Sequence, residues 1–111
     1  MIKEVFLLEY REIFGEGNYS IEVQNHGMVE EKEVLDGIVS ISRELNIPMV
    51  ATNDTHYCKK EDADVQRVLI AVQTNKVVGS ENALEFSNDE FYLKSGEEMA
   101  QAFMDYPEAV S

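Results

Sequence analysis

"YSIEVQNHGMVEEKEVLDGIVSISRELNIPMVATN", residues 19 to 53, is the stretch whose reading decides the fold. It opens in alternation, with Tyr19, Ile21 and Val23 on one side and Ser20, Glu22 and Gln24 on the other. A period of two is the mark of a strand. "NHG" turns the chain, and a helix is predicted from about Val29 to Leu45. Val34, Ile38, Ile41 and Leu45 form its predicted buried stripe, and the acidic residues near its start complement the helix dipole. "NIP" breaks the helix, and Met49–Asn53 reads as a second strand. Strand, helix and strand in this order make a βαβ unit, so the strands are expected to be parallel neighbours joined by a right-handed crossover.

Both strands run into polar residues, "QNHG" after the first and "NDTH" after the second. In parallel α/β architectures ligand sites gather at the carboxyl ends of the strands. Asp54 and His56 are two residues apart, so in extended chain their side chains point to one side. A carboxylate and an imidazole suit zinc or manganese, but zinc takes three or four protein ligands and two do not make a site. The alternative is that Asp54 caps the following turn or helix while His56 packs beside it. Glu22 lies on the strand face opposite Ile21 and Val23. Inside a barrel that face points inward, where an acid needs a partner or a cation. His26 reads either as a third ligand or as a surface histidine of the turn, with Asn25 holding the turn itself.

Outward from this unit, Ile2, Phe6, Tyr10 and Ile13 recur at helical spacing, and residues 2 to 14 are predicted as an amphipathic helix ended by "GEGN". A further helix is expected from Glu61 to Thr74, with Val65, Val68, Leu69 and Val72 turned inward. "KKEDAD" before it reads as a helix start, since it lacks the glycine and glutamate spacing of a calcium loop. "NKVVGSENALEFSNDE" is mostly loop, and "FYL" is a candidate short strand. Ser95 and Glu98 form a capping box for a last helix with Met99, Ala102 and Phe103 on the core side. Pro107, Glu108 and Ala109 are placed to open one more helical turn.

With 111 residues the chain is sized for one domain. Nine basic residues against twenty-two acidic ones leave a net charge of −13. Phosphate backbones are bound by neutralising them, so this segment alone is a poor nucleic-acid binder. The single cysteine, Cys58, excludes an internal disulfide and suits a reducing cytoplasm. No apolar run has the length of a membrane span, and the start of the chain does not read as a signal peptide. No hydrolase triad and no phosphate-cradling glycine loop is present.

Taken together, "YREIFGEGNYSIEVQNHG", "IPMVATNDTHY", "EDADVQRVLIAVQT" and "SNDEFYLKSGEEM" resemble one family, in the right order, from about Tyr10 to Val110. It is the polymerase-and-histidinol-phosphatase (PHP) domain of bacterial DNA polymerase III alpha subunits, and the resemblance is to its later part. It implies a partial parallel β/α barrel of PHP type, TIM-like, in residues 1–85. A connector with a short helix would follow in residues 86–111, leading toward a polymerase palm domain. It implies a piece of a DNA-synthesising enzyme whose PHP domain is either a metal-dependent 3′–5′ exonuclease that proofreads or a scaffold.

Asp54 and His56 match the family's D-x-H metal motif, and only these two ligands carry over. His26 falls on the family's turn and outside its metal-binding positions. Two residues depart from the pattern, Cys58 in place of an aliphatic residue and Gly96 in place of proline. The cofactors implied are zinc or manganese in the intact domain and magnesium at the polymerase site downstream. The partners implied are the rest of the alpha subunit, DNA and other replisome subunits, with no membrane. The isolated piece is expected to be inactive, and either to self-associate through an open strand edge or to be only marginally stable. A free-standing PHP phosphoesterase similar to histidinol phosphatase is the competing enzyme reading, and "DEFYLKSGEEM" argues against it.

Overall fold

The computed structural model describes residues 2–81 and 88–111. The boundary predicted between residues 85 and 86 lies outside the described residues. The chain divides into two compact units, one running to Thr52 and resuming at Ser95, the other Asn53–Lys94.

The first unit begins with helix α1 (Ile2–Phe14). Gly15, at φ 89°, ends it by donating its N–H to the Arg11 carbonyl at 2.9 Å. A side chain there would be strained, which is why glycine stands at this stop. Strand β1 (Ile21–Gln24), helix α2 (Val29–Leu45) and strand β2 (Met49–Thr52) follow. The strands are parallel and paired from Ile21 with Met49 to Gln24 with Thr52. The predicted βαβ unit is therefore present. The sheet holds two strands, and the described residues contain no closed barrel.

Val23, Leu35, Val39, Met49, Phe103 and Ala109 form the core of this unit. The inward face of α2 differs in part from the predicted one: Leu35, Val39 and Ser42 are buried, Ile38 packs half-buried on the core, Ile41 and Leu45 are half-buried, and Val34 is exposed. A polar residue, Ser42, sits on the buried line. Ser42 donates its hydroxyl to the Ile47 carbonyl at 2.6 Å, so its burial leaves nothing unpaired. At the end of α2, Asn46 takes a left-handed cap conformation and the Arg11 guanidinium donates to the Leu45 carbonyl at 2.5 Å. Helix α4 (Gly96–Ala102) carries the predicted capping box, and Met99, Ala102 and Phe103 pack on the core as expected. Pro107–Ala109 forms a single 3-10 turn.

In the second unit a 3-10 turn (Lys60–Asp62) leads into helix α3 (Ala63–Thr74), so "KKEDAD" is a helix start. The predicted inward stripe is not inward. Val65, Val68, Leu69 and Val72 are all exposed, Val72 at 74 %, and Ala71 is the buried residue of α3. Helical spacing fixes which residues share a face, but burial also requires a surface to pack against, and among the described residues that surface lies on the side of Ala71, with Ile70 half-buried. "FYL" makes one parallel bridge, Tyr92 with Tyr57, rather than a strand.

Candidate metal centre

Asp54 and His56 stand in the loop directly after β2. The chain leaves the strand through Asn53 and turns sharply at Asp54, whose φ is 47°. Aspartate tolerates this left-handed conformation better than most residues, because its short side chain can bond locally. Two residues on, the His56 N–H donates to the Phe91 carbonyl at 2.8 Å, and its ring meets Phe91 edge-on at 6.1 Å. Leu93 in turn donates to the Tyr57 carbonyl at 3.0 Å. The loop is thus registered against residues 91 to 93.

The structure brings the two predicted ligands together, with His56 Nδ1 3.9 Å from Asp54 Oδ1. Their side chains are 37 % and 51 % exposed. Nδ1 also lies 2.5 Å from the Asp54 carbonyl oxygen. A carbonyl only accepts, so Nδ1 carries the hydrogen and the ring lone pair of the neutral form lies on Nε2. An accessible carboxylate oxygen and an imidazole nitrogen with its tautomer set by a backbone carbonyl are the donors that zinc or manganese takes. They fit a divalent cation as two members of a larger set. Among the described residues, no group of three or more His, Cys, Asp and Glu side chains is arranged to hold a metal ion.

The two weaker candidates sit in other networks. Glu22 accepts the Thr52 hydroxyl at 2.5 Å across the paired strands, and Gln24 donates to the same hydroxyl at 3.2 Å. His26 is not a surface residue: it is 2 % exposed. Its Nδ1–H donates to Glu31 Oε1 at 2.5 Å and its backbone N–H to Glu31 Oε2 at 2.6 Å. Burial works to raise the Glu31 carboxyl, but the hydrogen bonds from His26 outweigh it and hold the group below the usual glutamate range. Asn25 holds the turn as expected, accepting from Gly27 N–H at 3.0 Å and donating to the Ala102 carbonyl at 2.7 Å. Cys58 is exposed and unpaired with any cysteine.

Sequence reasoning singles out neither Glu31 nor the residues that brace the loop. Asn53 is buried and donates to the Glu90 and Tyr92 carbonyls at 2.9 and 2.8 Å. The Lys94 ammonium reaches Asn53 Oδ1 at 3.2 Å. Asn53 adjoins the D-x-H motif and so had a local signal. Lys94 lies 41 residues further on and had none.

No family profile matches the chain. It is similar to DNA polymerase III subunit alpha of Treponema pallidum, with 49 % identity over 92 % of this chain and 9 % of the relative. The same protein of Deinococcus radiodurans is 49 % identical over 86 % of the chain and 7 % of the relative. That of Mycobacterium tuberculosis is 43 % identical over 87 % of the chain and 8 % of the relative. The chain therefore matches one segment of DNA polymerase III alpha subunits and spans less than a tenth of their length. Among the described residues no helix is long and apolar enough to cross a membrane.

Proposed function

We propose that this chain is the later part of the PHP domain of a cytoplasmic bacterial replicative DNA polymerase, in which Asp54 and His56 are two ligands of a divalent cation used for 3′–5′ exonuclease proofreading. The observation that carries the reading is the 49 % identity to an alpha subunit across 92 % of the chain. Two features support the metal assignment. The D-x-H motif follows a parallel strand, and both donor side chains are accessible. A cation bound there supplies Lewis acidity toward a phosphodiester and its attacking water. The chain's own part is to present one carboxylate and one imidazole, the latter oriented by the Asp54 carbonyl. Nucleotide addition, with DNA, magnesium and the other replisome subunits, belongs to the remainder of the alpha subunit in this reading, and the β1–α2–β2 unit is part of the PHP barrel.

The test is made on the full-length subunit carrying this segment. Replacing Asp54 and His56 together with Ala is expected to abolish release of nucleotides from single-stranded DNA while primer extension continues, because extension uses separate carboxylates. An unchanged exonuclease rate would remove both residues from the mechanism and leave the domain as a scaffold. Hydrolysis of small phosphate esters by a protein without polymerase activity would favour the phosphoesterase reading instead.

A further inference from the structure

Lys94 is half-buried as a residue, but its side chain is only 5 % exposed. Lysine is almost never buried without partners, because stripping water from an ammonium is costly. Here its three donors are matched by three acceptors: Asn53 Oδ1 at 3.2 Å, the Glu90 carbonyl at 2.6 Å and Glu90 Oε2 at 3.2 Å. It also lies 4.4 Å from the centre of the Tyr92 ring, a cation–π distance. Asn53, 7 % exposed, spends its amide hydrogens on the Glu90 and Tyr92 carbonyls. Asn53 thus holds backbone at residues 90 and 92, and Lys94 holds backbone at residue 90 together with the Asn53 and Glu90 side chains.

What they fix is the base of the D-x-H loop. Asp54 follows Asn53 in a left-handed conformation, one that persists only where the surroundings over-determine it. The determinants stand on both sides of it. Before Asp54, Asn53 is bound to Glu90, Tyr92 and Lys94. After it, His56 and Tyr57 both donate to the Phe91 carbonyl, at 2.8 and 3.4 Å. One short segment, Glu90 to Lys94, therefore clamps both ends of the turn. The carbonyl of Asp54, which sets the His56 tautomer, lies between the two clamps.

We propose that Asn53 and Lys94 are positioning residues for cation binding at Asp54 and His56, locking the turn so that the carboxylate and the imidazole are presented together. The proposal rests on the reading of those two residues as ligands. Outer-shell groups that orient metal ligands are typically worth about 10- to 100-fold in metal affinity.

The experiment measures zinc affinity of the full-length subunit by competition with a chromophoric chelator, alongside thermal unfolding. Lys94→Met keeps the aliphatic stem and removes the ammonium, and is expected to weaken zinc binding by about tenfold or more. In a His56→Ala background the same change should cost much less, since a positioning residue acts through its ligand. An equal loss in both backgrounds, or wild-type affinity in folded Lys94→Met, overturns the proposal. If Lys94→Met fails to fold, Glu90→Gln loosens the same ammonium without emptying its site. Severalfold weaker zinc binding is then expected, and wild-type affinity overturns the proposal. Asp54→Ala with His56→Ala separates the two claims. Unchanged zinc affinity there sinks the ligand reading itself, whereas loss there with no effect at Lys94 or Glu90 sinks only the positioning role.

Discussion

The carboxylate of Glu31 holds His26 by two bonds at once, Nδ1 at 2.5 Å and the backbone N–H at 2.6 Å. This pair ties the turn after β1 to the first turn of α2. Glu31→Ala leaves two donors of a buried residue without their acceptor, which costs about 1–3 kcal/mol. Urea unfolding of the variant beside the parent measures it, and a change within error would show that the pair adds nothing to the turn.

The same pair has a pH signature. The Glu31 carboxyl lies below its unfolded value in the folded chain, so its stabilisation is complete above the unfolded value, about 4.3. It is lost as pH falls through the lowered folded value. The stability difference between the parent and Glu31→Gln should therefore be largest near neutrality and shrink on acidification. A difference that grows below pH 4 would reverse the sign and refute the assignment.

Phe103 and Val72 should answer truncation oppositely. Phe103 is 1 % exposed in the core beside Val23 and Met49, and Phe103→Ala should cost about 3–5 kcal/mol. Val72 is 74 % exposed, and Val72→Ala should stay within about 0.5 kcal/mol. Denaturant midpoints of the two variants of this 111-residue chain are the measurement. A large loss at Val72 would return the α3 stripe to the interior.

Ser95 and Glu98 cap α4 reciprocally, Glu98 N–H to Ser95 Oγ at 3.2 Å and Ser95 N–H to Glu98 Oε2 at 2.8 Å. Ser95→Ala should cost about 1 kcal/mol. Faster amide exchange should appear in the first turn of α4, and unchanged exchange there would mean that packing of Met99 and Phe103 alone holds the helix.

The isolated chain is expected to self-associate. The outer edges of β1 and β2 have no ladder partner among the described residues, and the valine-rich stripe of α3 is exposed. The net charge of −13 opposes association. Salt screens that repulsion over a Debye length of about 10 Å at 0.1 M. Light scattering should thus rise with protein concentration and with salt. A monomer at all salt concentrations would count against exposed edges and stripe alike.

The sequence alone determined what depends on neighbours along the chain. The alternation around Val23 makes β1, and "NIP" stops α2 before β2. Ser95 finds Glu98 because the two are one helical turn apart. The closeness of Asp54 and His56 was equally legible, since the two side chains are two residues apart in the loop after β2. The tertiary structure decided what depends on a partner surface. Val34 and Leu35 are adjacent, yet only Leu35 is buried, because it is the one that meets the core around Val23 and Phe103. Val65, Val68, Leu69 and Val72 share a helical side and are all exposed. His26 is buried, and the glutamate that pairs it reaches back across the turn in a way no periodicity encodes. Asn53, beside Asp54, is held by Lys94, 41 residues further along the chain. Local propensity is set by backbone sterics within a few residues, whereas burial and polar pairing are set by whichever distant group removes the water.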